Sequence, residues 1–279
     1  MALLAALVAT SLAGTPDAAD SVLQSDGTPV ALRFTAELGT VGQLSHRLQI
    51  DEAGTYVRVP RDLGQDVLYP FLRFQVDLDL GADRRHTVAL LYQPLDFQSV
   101  VAAPRELQVG AVTFPEGEVL TFRYGFPFYR GTWLYDLAPS RDREVAIGAG
   151  LQIRNANIVY ASVDGSRAVS SRNIGPVPLL AFRARDTLTR RLWVAAEMQG
   201  FYAPISVLNG STNEVVGAIA DGSVKIGLEG PKGADVYAAL RYIGGGATGT
   251  SENPDPFTGD GYTKNWLHFG ALTLGAVLR

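Results

Sequence analysis

From Tyr69 to Gly81 the chain reads YPFLRFQVDLDLG, and its letters alternate. Leu72, Phe74, Val76, Leu78 and Leu80 are apolar, and Arg73, Gln75, Asp77 and Asp79 stand between them. A period of two places each set on its own face of a β-strand. One face requires apolar surroundings and the other requires water or polar partners. A protein core or a bilayer outside a barrel would satisfy the first face equally well.

Nine further segments repeat the pattern: ALRFTAELG, HTVALLYQ, VLTFRYGF, EVAIGAGLQIRNANIVY, PLLAFRAR, RLWVAAEMQGFY, VVGAIADGSVKIGLE, ADVYAALRYIG and, less regularly, NWLHFGALTLGAVLR. None carries the 3.6-residue period of a helix. The lengths reach the roughly 9–11 residues that a tilted strand needs to cross a bilayer. In VLTFRYGF the reading puts Leu120, Phe122, Tyr124 and Phe126 on the outer face and Arg123 on the inner one. The apolar phase then changes around Pro127, so that Trp133 and Tyr135 face the other way, which predicts a bulge or bend there.

The connections alternate in length. Residues 81–85, 138–143, 186–190 and 230–233 are short polar turns, and residues 40–68, 95–118, 162–175, 203–212 and 245–264 are long loops. One end of the structure then carries tight turns and the other long loops, the asymmetry of outer-membrane barrels. Tyr69, Phe71, Tyr160, Phe201, Tyr202, Tyr242, Tyr262 and Trp266 fall at loop-side strand ends, and Trp133 and Tyr135 at turn-side ends. Such positions suit interfacial girdles of aromatic rings. The two short runs in RLQIDEAGTYVRV predict an external hairpin rather than two more spanning strands.

On these features the span Val30 to Arg279 resembles a small Gram-negative outer-membrane β-barrel, similar in strand count to the omptin and opacity-protein barrels but with the motif of neither. The resemblance implies an all-β fold: a transmembrane, antiparallel, up-and-down barrel of about ten strands, with eight or twelve as alternatives. It implies one barrel domain over residues 21–279, a monomer, and the outer-membrane lipid bilayer as partner. Barrels of this class usually end in an aromatic residue, whereas this chain ends Ala276-Val277-Leu278-Arg279. Residues 1–20 hold an apolar run, Ala2 to Ala13, of the length found in a signal peptide, without the usual positive start.

Composition narrows the chemistry. The 279 residues contain no cysteine, which excludes disulfides and thiolate nucleophiles or metal ligands. The net charge of −4 and the lack of a basic cluster speak against nucleic acid. His46, His86 and His268 are scattered without metal-ligand spacing, so no metal and no cofactor is expected. His268 is followed by Phe269-Gly270, not by the serine that a lipid deacylase would need.

With the apolar face outward, the lumen would hold Arg33, Arg73, Arg123, Arg154, Arg183, Lys225 and Arg241 together with Glu37, Asp77, Asp79, Glu144, Glu197 and Asp221. Near-balanced charge in a narrow space predicts interlocking ion pairs rather than an open selective pore, because unpaired buried charge is prohibitive. Asp77 and Asp79 fall near the periplasmic end without a histidine, which disfavours acid catalysis by that pair. The expected function is a non-enzymatic barrel with a structural, adhesion or small-solute role, using its external loops and polar lumen. A lipid- or peptide-hydrolysing membrane enzyme is one alternative. A soluble β-sandwich or ligand-binding barrel with the apolar face inward is another.

Overall fold

The computed structural model describes residues 30–81, 83–140, 142–204, 214–250 and 261–279; the expected signal segment, residues 1–20, lies outside them. The strands are β1 (Val30–Ile50), β2 (Val57–Arg58), β3 (Tyr69–Leu80), β4 (His86–Gln93), β5 (Asp96–Ala102), β6 (Leu107–Val109), β7 (Val112–Phe114), β8 (Val119–Gly125), β9 (Phe128–Asp136), β10 (Arg143–Ser162), β11 (Ala168–Thr187), β12 (Leu192–Pro204), β13 (Glu214–Glu229), β14 (Ala234–Thr250) and β15 (Tyr262–Leu278). One short helix, α1 (Val59–Asp62), lies between β2 and β3.

Ten of these strands form one closed antiparallel barrel: β1, β3, β4 and β9 through β15. The first and last strands of the chain meet, with Phe34 opposite Leu278 and Glu37 opposite Gly275. The pairing of β10 with β11 completes the circle. Up to the height of the Leu180–Gly200 pair, closure leaves no sheet edge, as a bilayer demands, since lipid offers no hydrogen bonds to backbone groups.

The outer surface is the apolar one. Phe34, Leu72, Phe74, Leu90, Ile147, Leu180, Met198, Val224, Leu240 and Leu274 are all exposed, and they are spread around the barrel. Soluble monomers do not carry a continuous apolar belt of this kind. The inward-facing apolar arrangement of a soluble barrel is thereby overturned for the membrane-crossing part. Tyr242 and Trp266 stand on the outer surface near the loop end, with Tyr92 stacked on Tyr129 at 4.9 Å. Trp133 lies near the turn end, stacked with His86 at 5.8 Å.

Four aromatic positions expected in the girdle face inward instead. Phe71 and Tyr160 are buried, Tyr69 packs on Phe97 at 4.8 Å, and Phe201 lines an internal cavity. The reason is that the loop end of the barrel carries an apolar core of its own. The connection from β4 to β9 folds into β5 to β8, and the connection from β1 to β3 holds β2 and α1. Together they enclose Leu48, Val59, Leu63, Phe71, Phe97, Phe114, Phe122, Tyr124, Ile158, Tyr160 and Phe269 in one cluster, here called the cap.

This cap explains the apparent change of phase at Pro127. β8 and β9 run end to end along β10: β8 pairs with Asn157 to Ser162, and β9 with Ala146 to Arg154. Leu120, Phe122, Tyr124, Phe128, Arg130, Thr132 and Leu134 are all buried, so even-numbered residues point inward along both strands. The backbone keeps its phase, and the surroundings reverse. Within the belt oil is outside; beyond it oil is inside and water outside. Arg123 is accordingly exposed and pairs with Asp96 on the outer surface rather than lining the lumen. β10 shows the same reversal, with Gly148, Gly150, Gln152 and Arg154 giving way to Ala156, Ile158 and Tyr160 on its inner face.

One expected loop is a strand pair. Residues 162–175 mostly continue β10 and β11, which stay in register up to Ala161 and Ala168. The residue run DEAG, by contrast, does sit in a turn at the loop end of the barrel, and the β1–β2 contact is limited to Arg47 with Arg58 and Leu48 with Val57.

The reversal sets a prediction. Leu274→Arg places a charge in the middle of the belt and should destabilise the barrel by about 2–4 kcal/mol. Val159→Arg, beside Arg123 on the outer face of the cap, should stay within about 0.5 kcal/mol. Urea unfolding of the two variants in lipid vesicles checks the pair; equal losses would contradict the reversal on β10 between Arg154 and Ala156.

Candidate functional site

Alternation delivers the charged residues to the lumen, and strand register brings them to common heights. Glu37 lies opposite Arg73, and Arg33 opposite Asp77, across the β1–β3 ladder. The interior is filled at these heights. A ten-stranded barrel is little wider than the eight-stranded kind that side chains fill completely.

Asp221 is the hub of the upper layer. Its Oδ2 accepts from Arg73 at 3.0 Å and Arg130 at 2.8 Å, and its Oδ1 from Arg241 at 2.8 Å. Arg241 also donates to Glu37 at 2.9 Å, where Tyr237 and Thr273 donate as well. Lys225 sits 2.8 Å from Glu197 and 3.7 Å from Glu37. Arg73 donates to Gln93, and Arg130 to Gln152 and Gln199. Every barrel strand except β11 contributes to this layer.

The layer below includes β11. Arg183 donates to Asp77 at 2.8 Å and Glu144 at 2.6 Å. Arg33 donates to Asp79 at 2.8 Å and lies 3.4 Å from Asp77. Near the turn end, Arg185 and Arg279 share Asp235, and Arg185 lies over the Trp193 ring at 4.4 Å. Trp193 and Tyr237 lie flat against the inner wall over Gly227 and Gly275, where a Cβ would overlap the rings. Only glycine admits that approach.

Of the lumen candidates, Arg33, Glu37, Arg73, Asp77, Asp79, Arg183, Glu197, Asp221, Lys225 and Arg241 meet in these layers, with Glu144. Arg154 lies higher, on the wall of the internal cavity. Arg123 is outside. Arg130, Arg185 and Asp235 belong to the layers but were not singled out from the sequence. Arg130 had a visible signal: with Thr132 it alternates against Tyr129, Gly131 and Trp133.

The cavity lies between the upper layer and the cap, with a volume of about 710 Å³. Its walls are Phe126, Phe128, Ile219, Phe201 and Ile243, with the glycine run Gly244–Gly246. A side chain at Gly246 would strike the Asn265 backbone, and its φ of 154° suits glycine. Gln152, Arg130 and Asp221 border it on the charged side. Gln152 is fully buried; its Oε1 accepts from Arg130, and its Nε2 has no partner among the described residues.

At the cap edge, His46 lies 3.0 Å from Asn265 Oδ1, and Asn265 Nδ2 donates to the Tyr124 hydroxyl at 3.1 Å. This places the His46 proton on Nε2. Burial pushes the Tyr124 hydroxyl up to about 12. No group of three or more potential metal ligands occurs among the described residues. His268 faces outward and bonds Tyr242 through Nδ1 at 2.6 Å.

Asp221→Ala leaves Arg73, Arg130 and Arg241 facing one another without their shared anion. It should cost about 3–5 kcal/mol, the cost typical of breaking a buried pair. Arg123→Ala should stay within about 0.5 kcal/mol. Urea unfolding in detergent checks both; a neutral Asp221→Ala would show that the hub is not a structural anion.

No family model matches the chain, and no curated protein matches it. Among solved structures it is similar to the outer membrane protease OmpT from Escherichia coli. The identity is 10%, covering 88% of this chain and 96% of that one, with a TM-score of 0.52. Weaker matches are Ail of Yersinia pestis, at 9% identity, 88% and 97% coverage and a TM-score of 0.37, and the toluene transporter TodX of P. putida, at 7%, 92% and 91%, and 0.36. At such identity the likeness to OmpT concerns the fold alone, which is that of the outer-membrane β-barrels.

Proposed function

We propose that the protein resides in the outer membrane and is a non-enzymatic binding barrel, which holds a small, mostly apolar molecule at its loop end. The observation that carries this reading is the cavity of about 710 Å³ between the charge layers and the cap. Its size falls within the roughly 300–1,000 Å³ typical of ligand pockets, and an apolar wall with few polar groups is their usual lining. Below it the lumen is blocked by side chains bonded to one another, so the reading favours capture over free passage.

An enzymatic role draws little support. The lumen carboxylates are engaged by arginine or lysine, and a general acid or base needs access to substrate. His46 is held by Asn265 with aromatic rings around it, and no hydroxyl nucleophile bonds to it among the described residues.

The test combines conductance and binding. Planar bilayers containing the protein should show no sustained stepwise channel currents. Native mass spectrometry after equilibration with N-phenyl-1-naphthylamine should show a bound probe in the wild type and at least about tenfold weaker binding in Ile219→Trp, whose ring fills the cavity. Sustained currents, or equal binding by both proteins, would overturn the reading.

A further inference from the structure

The barrel wall has a seam. The β10–β11 ladder runs unbroken from Arg143 opposite Asp186 to Ala161 opposite Ala168. The β12–β13 ladder runs up to Pro204 opposite Val216. Between them, the β11–β12 ladder ends at Leu180 opposite Gly200. Above that pair, β11 and β12 are both still strands, but among the described residues they do not pair with each other.

The sequence accounts for the seam. In an antiparallel ladder, residues two apart direct their N–H groups to the same neighbour. Pro176 and Pro178 are two apart, and the ladder to β10 passes both of them unbroken. Their missing donors are therefore those that would face β12. Extending the register past Leu180–Gly200 would place Pro178 opposite Tyr202 and Pro176 opposite Pro204. At that last pair neither residue has an N–H to give.

The cavity reaches this seam. Its lining includes inward residues, such as Phe128, Ile243 and Phe201, together with Ile174, Pro176 and Pro178. These last three are on the outward-facing set of β11, the set of Leu180 and Phe182. A space bounded by both faces of one wall passes through it. The outer rim is apolar: Ile174, Leu180 and Tyr202 are all exposed there. Over the lumen lies the apolar core of the cap, and beneath lies the charge network.

We propose that the cavity is loaded sideways from the outer leaflet, through the seam between β11 and β12, by a single-chain amphiphile with a carboxylate head. This rests on the reading of the cavity as a binding site. The alkyl chain fits the walls of Phe126, Ile219 and Ile243. The head is specified at the charged side, where Gln152 Nε2 is a buried donor that lacks an acceptor. Because Gln152 Oε1 takes two bonds from Arg130, the amide cannot turn round without losing both, so an oxygen atom of the ligand is the complement. Arg130 and Arg154 on the same lining favour a negative oxygen, since the one carboxylate there, Asp221, is already engaged by three arginines.

The experiment uses the full barrel in lipid vesicles that contain decanoate with a photoreactive diazirine on its chain. Crosslinking is followed over time and mapped to peptides. Two variants address the seam. The triple variant Pro176→Val, Pro178→Val, Pro204→Val restores the missing donors and lets the ladder close, and Pro178→Trp obstructs the rim directly. The expected result is crosslinking on cavity peptides in the wild type and loading slowed at least about tenfold in one or both variants, with final occupancy retained. Unchanged loading rates in both variants overturn lateral entry and leave the cavity reading standing. No cavity crosslink in the wild type overturns both. Gln152→Glu, which keeps an acceptor for Arg130 but offers no donor, should weaken decanoate by about tenfold or more and spare decanol. Equal weakening of both would overturn the assignment of the carboxylate head.

Discussion

A strand that crosses lipid must give every backbone N–H and C=O a partner on the strands beside it, because nothing in the bilayer will supply one. The rest of this structure depends on that constraint. It forces the Val30 and Leu278 ends of the chain together, fixes strand register around the circle, and thereby decides which side chains share a height in the lumen. Glu37 meets Arg241, and Asp221 meets its three arginines, because the ladders leave them no other position. The charge layers are a consequence of closure as much as a cause of it. They are also the reason the interior tolerates so many ions: each has partners within hydrogen-bond reach.

The same constraint relaxes beyond the belt, where water can satisfy backbone groups. There β8 joins β10 outside the barrel circuit and β5 joins β8, and the sheet widens into a cap with its own apolar core. One strand line, β8 followed by β9, thus serves two solvents without changing its pleat. The seam above Leu180 is the place where ladder closure gives way within the barrel itself. Proline suits it: a residue with no N–H leaves fewer donors stranded when its neighbour is absent.

The fold was largely legible in the sequence because period-two alternation is local and each segment carries it independently. The strand number followed from the separation of DRR, SRDR and PKG turns from longer loops. Alternation does not say which face meets oil, and this is where the reading failed. Leu120, Phe122 and Tyr124 look like the lipid face of any membrane strand, and Arg123 like a lumen charge. The difference lies in how far along the strand the belt ends, which depends on neighbours distant in sequence. Phe71, just two residues from Arg73 on the same inner face, marks the same boundary. The charged layers were visible as a composition of the inner face, but the convergence of Arg73, Arg130 and Arg241 on one carboxylate required register across strands far apart in the chain. The prolines of β11 were plain to see, yet their meaning needed the identity of the strand beside each one.

The composition of the cap carries a consequence for assembly. Its core draws Val41 and Leu48 from the first barrel strand, Phe71 from the second, Phe122 and Tyr124 from the middle of the chain, and Leu267 and Phe269 from the last strand. These residues are separated by more than two hundred positions, so the core cannot form while synthesis or insertion is incomplete. Contacts of such long range form late, after the entropy of closing the intervening chain has been overcome. Until the two terminal strands zip together, the inner faces of β8 and the upper part of β10 are greasy surfaces with nothing to cover them. The maturing chain therefore passes through a stage that exposes these surfaces at its loop end. Consolidation of the cap marks its end.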